Sequence, residues 1–192
     1  MGWDESLFRA INGWAGQSAF LDWLALTLSS PGLLWVPGVL LGAYWFWLSR
    51  REMLIASPLL GGAIGLLDFV GARLKELAAR PRPCMSIADI YQVEACGKVF
   101  GFPSNHAINT AAAAAFLHVL YPRSGWISWP LVGLIGLSRV FLGAHYVTDV
   151  LGGWVIGGAG GAAIAWGLLQ WPVFRRKMMA ASPTIPPASQ PG

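Results

Sequence analysis

The chain has 192 residues, of which 55% are hydrophobic and only 11% charged, against about 25% charged in ordinary soluble domains. That balance excludes an ordinary soluble protein and points to one integral membrane domain, with many of the eleven tryptophans where apolar runs begin or end, as in an interfacial aromatic belt. The net charge of +4 does not imply nucleic acid, because the basic residues are divided among membrane-flanking sites rather than gathered in one stripe.

Residues 1–30 mix Asp4, Glu5, Arg9, Asn12, Gln17 and Asp22 with aromatic and aliphatic side chains. Leu7, Ile11 and Trp14 recur at helical spacing, which predicts an amphipathic segment lying in the membrane interface, with a full span as the alternative. The acidic start, with no apolar core directly after it, does not read as a removable signal peptide, so the chain is expected to be inserted whole. Residues 32–48, apolar and interrupted by Pro37, form the first expected transmembrane span. A basic turn at 49–52 leads into a second span, from 53 to about 72, which carries Asp68 inside it. Residues 73–104 are polar and hold five basic residues and both cysteines; this is the longest loop.

Residues 106–121 form a third span, with small residues at 111–115 that let neighbouring helices approach closely. The fourth runs from 126 to about 144 and the fifth over 147–171, the last with Gly153, Gly157 and Gly161 spaced four apart. Phe174-Arg175-Arg176-Lys177 makes a basic stop, and the proline-rich tail over 179–192 is expected to be disordered. The expected fold is all-α: a polytopic membrane helical bundle of about five transmembrane helices over 31–178, preceded by the interfacial segment.

Raw counts of basic residues on the two sides, six against seven, do not orient the bundle. Charges that belong to a site should be discounted from a rule about short flanking loops. With that discount the side holding Arg50, Arg51, Arg123, Arg175, Arg176 and Lys177 is cytoplasmic, and the 73–104 loop faces the periplasm or exterior of a bacterial cell membrane. Cys84 and Cys96 both lie in this loop. A disulfide and two unrelated thiols are the alternatives, and an exported loop favours the bond.

Three clusters land on that same face: Lys75 followed at seven residues by Arg82-Pro83, then Pro103-Ser104-Asn105-His106, then Ser138-Arg139 with His145 and Asp149. Charged groups at the ends of apolar spans are costly unless they work. His145 and Asp149, four apart, share one face of a helix that begins near 145. A carboxylate on one imidazole nitrogen fixes the tautomer and frees the other nitrogen to attack phosphorus or move a proton. Ser104 sits where a helix should start, and backbone amides there suit a phosphoryl oxygen. Lys75, Arg82 and Arg139 would balance the charge of a phosphoryl centre. Arg73 and Arg80 read more simply as side chains that snorkel toward headgroups. Asp68, two turns before Lys75, is a candidate partner for the site cations, with a packing role as the alternative; His118 reads as structural.

In order and separation these residues resemble the type 2 phosphatidic acid phosphatase (PAP2) superfamily, closely over 75–149 and through the span pattern over most of the rest. The resemblance implies that His145 is the nucleophile, Asp149 its orienting partner and His106 the acid for the leaving oxygen. It implies that Lys75, Arg82, Ser104 and Arg139 hold the phosphate, with neither metal nor cofactor. Asn105 stands where the family usually has glycine; its backbone N–H can still face phosphate, while its side chain would narrow the pocket or add a donor.

The leading expectation is therefore a phosphatase acting on a membrane lipid phosphate, an undecaprenyl-type diphosphate above all. Phosphatidylglycerophosphate, phosphatidate and lipid A phosphatases, and lipid phosphotransferases, share the outline. A non-enzymatic lipid-phosphate binder or transporter component is the other class, and the pair His106 and His145 speaks against it, since binding needs cations but not two histidines and a carboxylate.

Overall fold

The computed structural model describes residues 2–30, 49–93 and 95–172, with 32, 43 and 45–47 besides. Most of the first expected span, the basic stop at 174–177 and the tail lie outside the described residues. Those described form helices α1 (Trp3–Asn12), α2 (Ala19–Ser29), α3 (Arg50–Ala78), α4 (Pro83–Ser86), α5 (Asn105–Leu120), α6 (Gly125–Phe141) and α7 (Val147–Leu169), with a 3-10 turn at Pro122–Ser124 before α6. No strand occurs among them. Two helices, α3 and α7, are long and apolar enough to cross a membrane; α5 and α6 have 16 and 17 residues.

Helix α5 is the axis of the bundle, packed against α3, α6 and α7. Its alanines make this possible: Ala107, Ala111, Ala112, Ala114 and Ala115 are all buried. The facing glycines of α7 bring the two backbones together. A Cβ on Gly157 would lie 2.0 Å from the Ile108 carbonyl oxygen, and one on Gly161 2.2 Å from that of Ala112. Without a hydrophobic force between helices in lipid, such close backbone approach supplies the packing.

Three boundaries differ from the sequence expectation. Helix α3 runs six residues past the expected end of the second span, so Arg73, Lys75 and Glu76 ride its last two turns rather than the loop. At 29 residues it is about 43 Å long, against about 30 Å of hydrocarbon. Charges that the helix carries clear of the apolar layer need not end it. Helix α6 stops at Phe141, leaving two helical residues after Arg139 rather than about five. His145 precedes α7 altogether. His118 is in the last turn of α5 rather than mid-span, packed where a Cβ on Gly125 would lie 2.2 Å from its Nδ1.

The N-terminal helices are docked on the bundle. Buried Asn12 clamps α1 in place: its amide donates to the carbonyls of Tyr91 and Phe141, both at 2.8 Å, and its oxygen accepts the Tyr91 N–H at 3.0 Å. Phe8 is fully buried, while Trp3, Trp14, Phe20 and Trp23 remain exposed.

Candidate active site

The site forms where the C-terminal ends of α3 and α6 meet the N-terminal ends of α5 and α7. Each cluster read from the sequence arrives at this one end. The loop between α3 and α5 folds back over it, held by a disulfide between Cys84 and Cys96, whose Cα atoms are 6.0 Å apart. The Arg82 N–H donates to Val99 O at 3.0 Å, so both limbs of the loop are joined beside the disulfide.

His145 is 2% exposed and Asp149 is fully buried. The His145 Nδ1 lies 3.5 Å from Asp149 Oδ2, and its Nε2 lies 3.4 Å from an Arg82 Nη. A guanidinium only donates. The arrangement therefore matches an imidazole with its proton on Nδ1 and a lone pair on Nε2. Burial pushes the His145 imidazole down to about 3, Arg82 and Arg139 act in the same direction, and Asp149 opposes them. The ring is neutral at neutral pH.

The pair does not meet as two side chains on one helical face. Tyr146 is the N-cap of α7, and Asp149, three residues in, turns back to accept the Tyr146 N–H at 3.0 Å with the same oxygen that faces His145. The oxygen that caps the helix is also the one nearest the imidazole. Gly101 leaves room for it: a Cβ there would lie 2.8 Å from Asp149 Oδ2.

Ser104 is the N-cap of α5, but its side chain makes no capping hydrogen bond. Its hydroxyl is fully buried and has no hydrogen-bond partner among the described residues. A buried hydroxyl without a partner is costly unless a ligand supplies one. The Ser104 N–H donates to the Asp149 carbonyl at 3.0 Å, joining the two helix starts. His106 is half-buried in the first turn of α5. Arg139 is buried in the last turn of α6, and its carbonyl accepts the N–H groups of Ala144 and His145 at 3.1 and 3.2 Å.

The Asn105 side chain is bonded on both sides, to Asp68 and to Lys75. Its amide nitrogen donates to Asp68 Oδ1 at 2.7 Å, and its oxygen accepts from Lys75 Nζ at 2.5 Å. Asn109 donates to the same Asp68 oxygen at 2.9 Å. Lys75 also donates to the Pro103 carbonyl. Asp68 thus reaches the site cation through an amide. Gly71 accommodates this link, because a Cβ there would lie 3.1 Å from Asn105 Oδ1.

Arg80, expected to snorkel, is instead bonded to Asp149 Oδ1 at 2.9 Å and to Asp4 Oδ2 at 2.6 Å. The doubled Arg-Pro of Arg80-Pro81-Arg82-Pro83 was the available signal. Nothing in the sequence pairs Asp4 with a residue 76 positions away. Among the described residues no three His, Cys, Asp or Glu side chains converge as a metal ion would require.

A helical bundle thus brings a buried histidine–carboxylate pair together with Lys75, Arg82 and Arg139 at one end. Residues 56–176 match the PAP2 superfamily, and the chain belongs to that family. It is 32% identical over 160 residues to a decaprenylphosphoryl-5-phosphoribose phosphatase of Mycobacterium tuberculosis, covering 78% of this chain and 85% of that one. An undecaprenyl-diphosphatase of Sulfolobus acidocaldarius is 28% identical over 160 residues, covering 82% and 74%. The fold is shared with Aquifex aeolicus LpxE, with a TM-score of 0.69 over 87% of this chain and 96% of that one, at 24% identity.

Proposed function

We propose that this chain hydrolyses an undecaprenyl-type diphosphate to the monophosphate at the outer leaflet of a cell membrane, through a phosphohistidine on His145. Membership of the PAP2 superfamily makes it a phosphatase of lipid phosphates. The two relatives named above carry polyprenyl substrates in their names, which supports a polyprenyl lipid. The observation that carries the mechanism is the buried His145, with Nδ1 3.5 Å from Asp149 Oδ2 and Nε2 3.4 Å from Arg82.

In this reading α3, α5, α6 and α7 cross the membrane, and α1 and α2 lie in its interface. The disulfide supports an exported loop, since such bonds persist in oxidising compartments. Lys75, Arg82, Arg139, the Ser104 hydroxyl and the first amides of α5 hold the terminal phosphoryl group. The Nε2 lone pair attacks phosphorus, the P–O bond to the departing lipid phosphate breaks, and His106 gives that oxygen a proton. Water then attacks the phosphohistidine and yields its proton to His106, the P–N bond breaks, and inorganic phosphate leaves.

The test is phosphate release by the purified protein in detergent, with chelator present, from polyprenyl, glycerolipid and lipid A phosphates compared by kcat/KM. The polyprenyl diphosphate should lead, and His145→Ala should fall to background. Release that persists in that variant would sink the nucleophile, and loss with chelator would argue for a metal site. A polyprenyl phosphosugar belongs in the panel, because the 32% identical relative is named for one.

A further inference from the structure

Behind the histidine–carboxylate pair lies a second layer that reaches the N-terminus. One Arg80 guanidinium spans two carboxylates, Asp149 at 2.9 Å and Asp4 at 2.6 Å. Asp4 is fixed in turn by the start of α7. It accepts the Thr148 N–H at 3.1 Å, and the Thr148 hydroxyl donates to it as well. Arg80 also donates to the Thr148 hydroxyl and stacks over the Tyr146 ring at 4.2 Å. Arg80 lies on the far side of Asp149 from His145, bonded to Oδ1 while His145 faces Oδ2.

A fully buried carboxylate is tolerated only where charge and hydrogen bonds compensate it. For Asp149 that charge comes from Arg80, and the position of Arg80 comes from Asp4 on α1. We infer that Arg80 and Asp4 are positioning residues for the Asp149–His145 pair, so that helix α1 is a working part of the active site rather than only an interfacial anchor. The inference rests on the reading of His145 as the nucleophile. A guanidinium is suited to this place because its fixed fork bonds two carboxylates at once, which an ammonium cannot do in the same plane.

The charged groups around His145 are Asp149 from α7, Arg82 from the loop and Arg139 from α6, with Arg80 acting through Asp149. Removing Arg80 leaves the Asp149 charge less neutralised, which favours the imidazolium and moves the acid limb of the rate profile to higher pH. It also frees Asp149 to shift, and a misplacement near 1 Å costs on the order of 100-fold in rate.

The experiment measures kcat, KM and their pH dependence for the full chain in detergent with farnesyl diphosphate as probe. The variants are Arg80→Ala, Arg80→Lys, Asp4→Asn and the double Asp4→Asn/Arg80→Ala. Arg80→Ala should lower kcat on the order of 10- to 100-fold with KM nearly unchanged, and its acid limb should rise. Arg80→Lys should fall between it and the parent. Asp4→Asn should lose less, and its loss should nearly vanish in the Arg80→Ala background, because coupled residues are not additive. A raised KM with intact kcat would overturn the inference by making Arg80 a phosphate contact. So would losses that multiply in the double variant, or an acid limb that stays in place. If Arg80→Ala does not fold, the Arg80→Lys and Asp4→Asn profiles decide by the same criteria. Failure of the nucleophile reading is separate, because it would show as turnover in His145→Ala.

Discussion

Two carboxylates stand behind the site, one on each flank, and they reach it by different means. Asp68 on α3 acts through a neutral amide: Asn105 accepts from Lys75 and donates to Asp68. Asp4 on α1 acts through a cation: Arg80 bonds it to Asp149. In the proposed mechanism the first link orients a charge that holds phosphate. The second neutralises a charge that must stay buried beside a neutral imidazole. An amide passes on direction without charge, whereas a guanidinium passes on both, and each flank has the residue its task requires.

The comparison can be broken most severely at Asp149, where capping, histidine orientation and the Arg80 bond meet. Asp149→Ala should lower kcat by about 10²- to 10⁴-fold, the range for loss of acid–base function. Since Asp149 also caps α7, its melting temperature should fall too. On the other flank, Asn105→Gly restores the residue usual in the family and removes the link to Lys75. KM should rise about tenfold, since a hydrogen bond to a charged group contributes about 1.5 kcal/mol or more, with kcat changed less. A kcat loss as large as that of Asp149→Ala would erase the distinction between the flanks.

The disulfide sharpens the contrast, because its loop bears Arg82 and not Lys75. Reduction, or Cys84→Ala with Cys96→Ala, releases a closure of sequence separation 12, which stabilises by about 3 kcal/mol in chain-entropy terms. The thermal midpoint should drop and KM should rise several-fold as Arg82 loosens. The smallest effect is with pH. Burial holds His145 down near 3, well under its ordinary 6.5, so it is neutral both at pH 7 and at pH 5. Its protonation should not limit kcat/KM across that interval, and a fall centred on pH 6.5 that His145 alone explains would contradict its neutral, buried state.

The sequence made the front of the site legible and hid its back. Lys75, Arg82, Ser104, His145 and Asp149 were readable because their order along the chain and the span pattern put them at one end of the bundle. The supports were not, because their bonds join distant segments: Asp4 to Arg80, Asn12 to Phe141, Asn105 to Asp68. Arg80 was misread from composition, since a lone arginine at a span end usually does snorkel. Asn105 was read from its place in a motif, and the motif does not show its bonds to Asp68 and Lys75. Only Gly71, across the helix interface, shows where the amide has room to go. The α3 boundary was missed because charges were taken as the end of the helix rather than the end of the apolar layer.

The central claim is tested most directly by trapping the intermediate. Purified protein would be mixed with undecaprenyl diphosphate radiolabelled at its terminal phosphate, quenched in base and digested, and the labelled peptide located by mass spectrometry. The expected result is an acid-labile, base-stable phosphate on His145, absent from His145→Ala. Label on any other residue, or turnover by the parent with direct transfer to water and no labelled protein at any quench time, would contradict it.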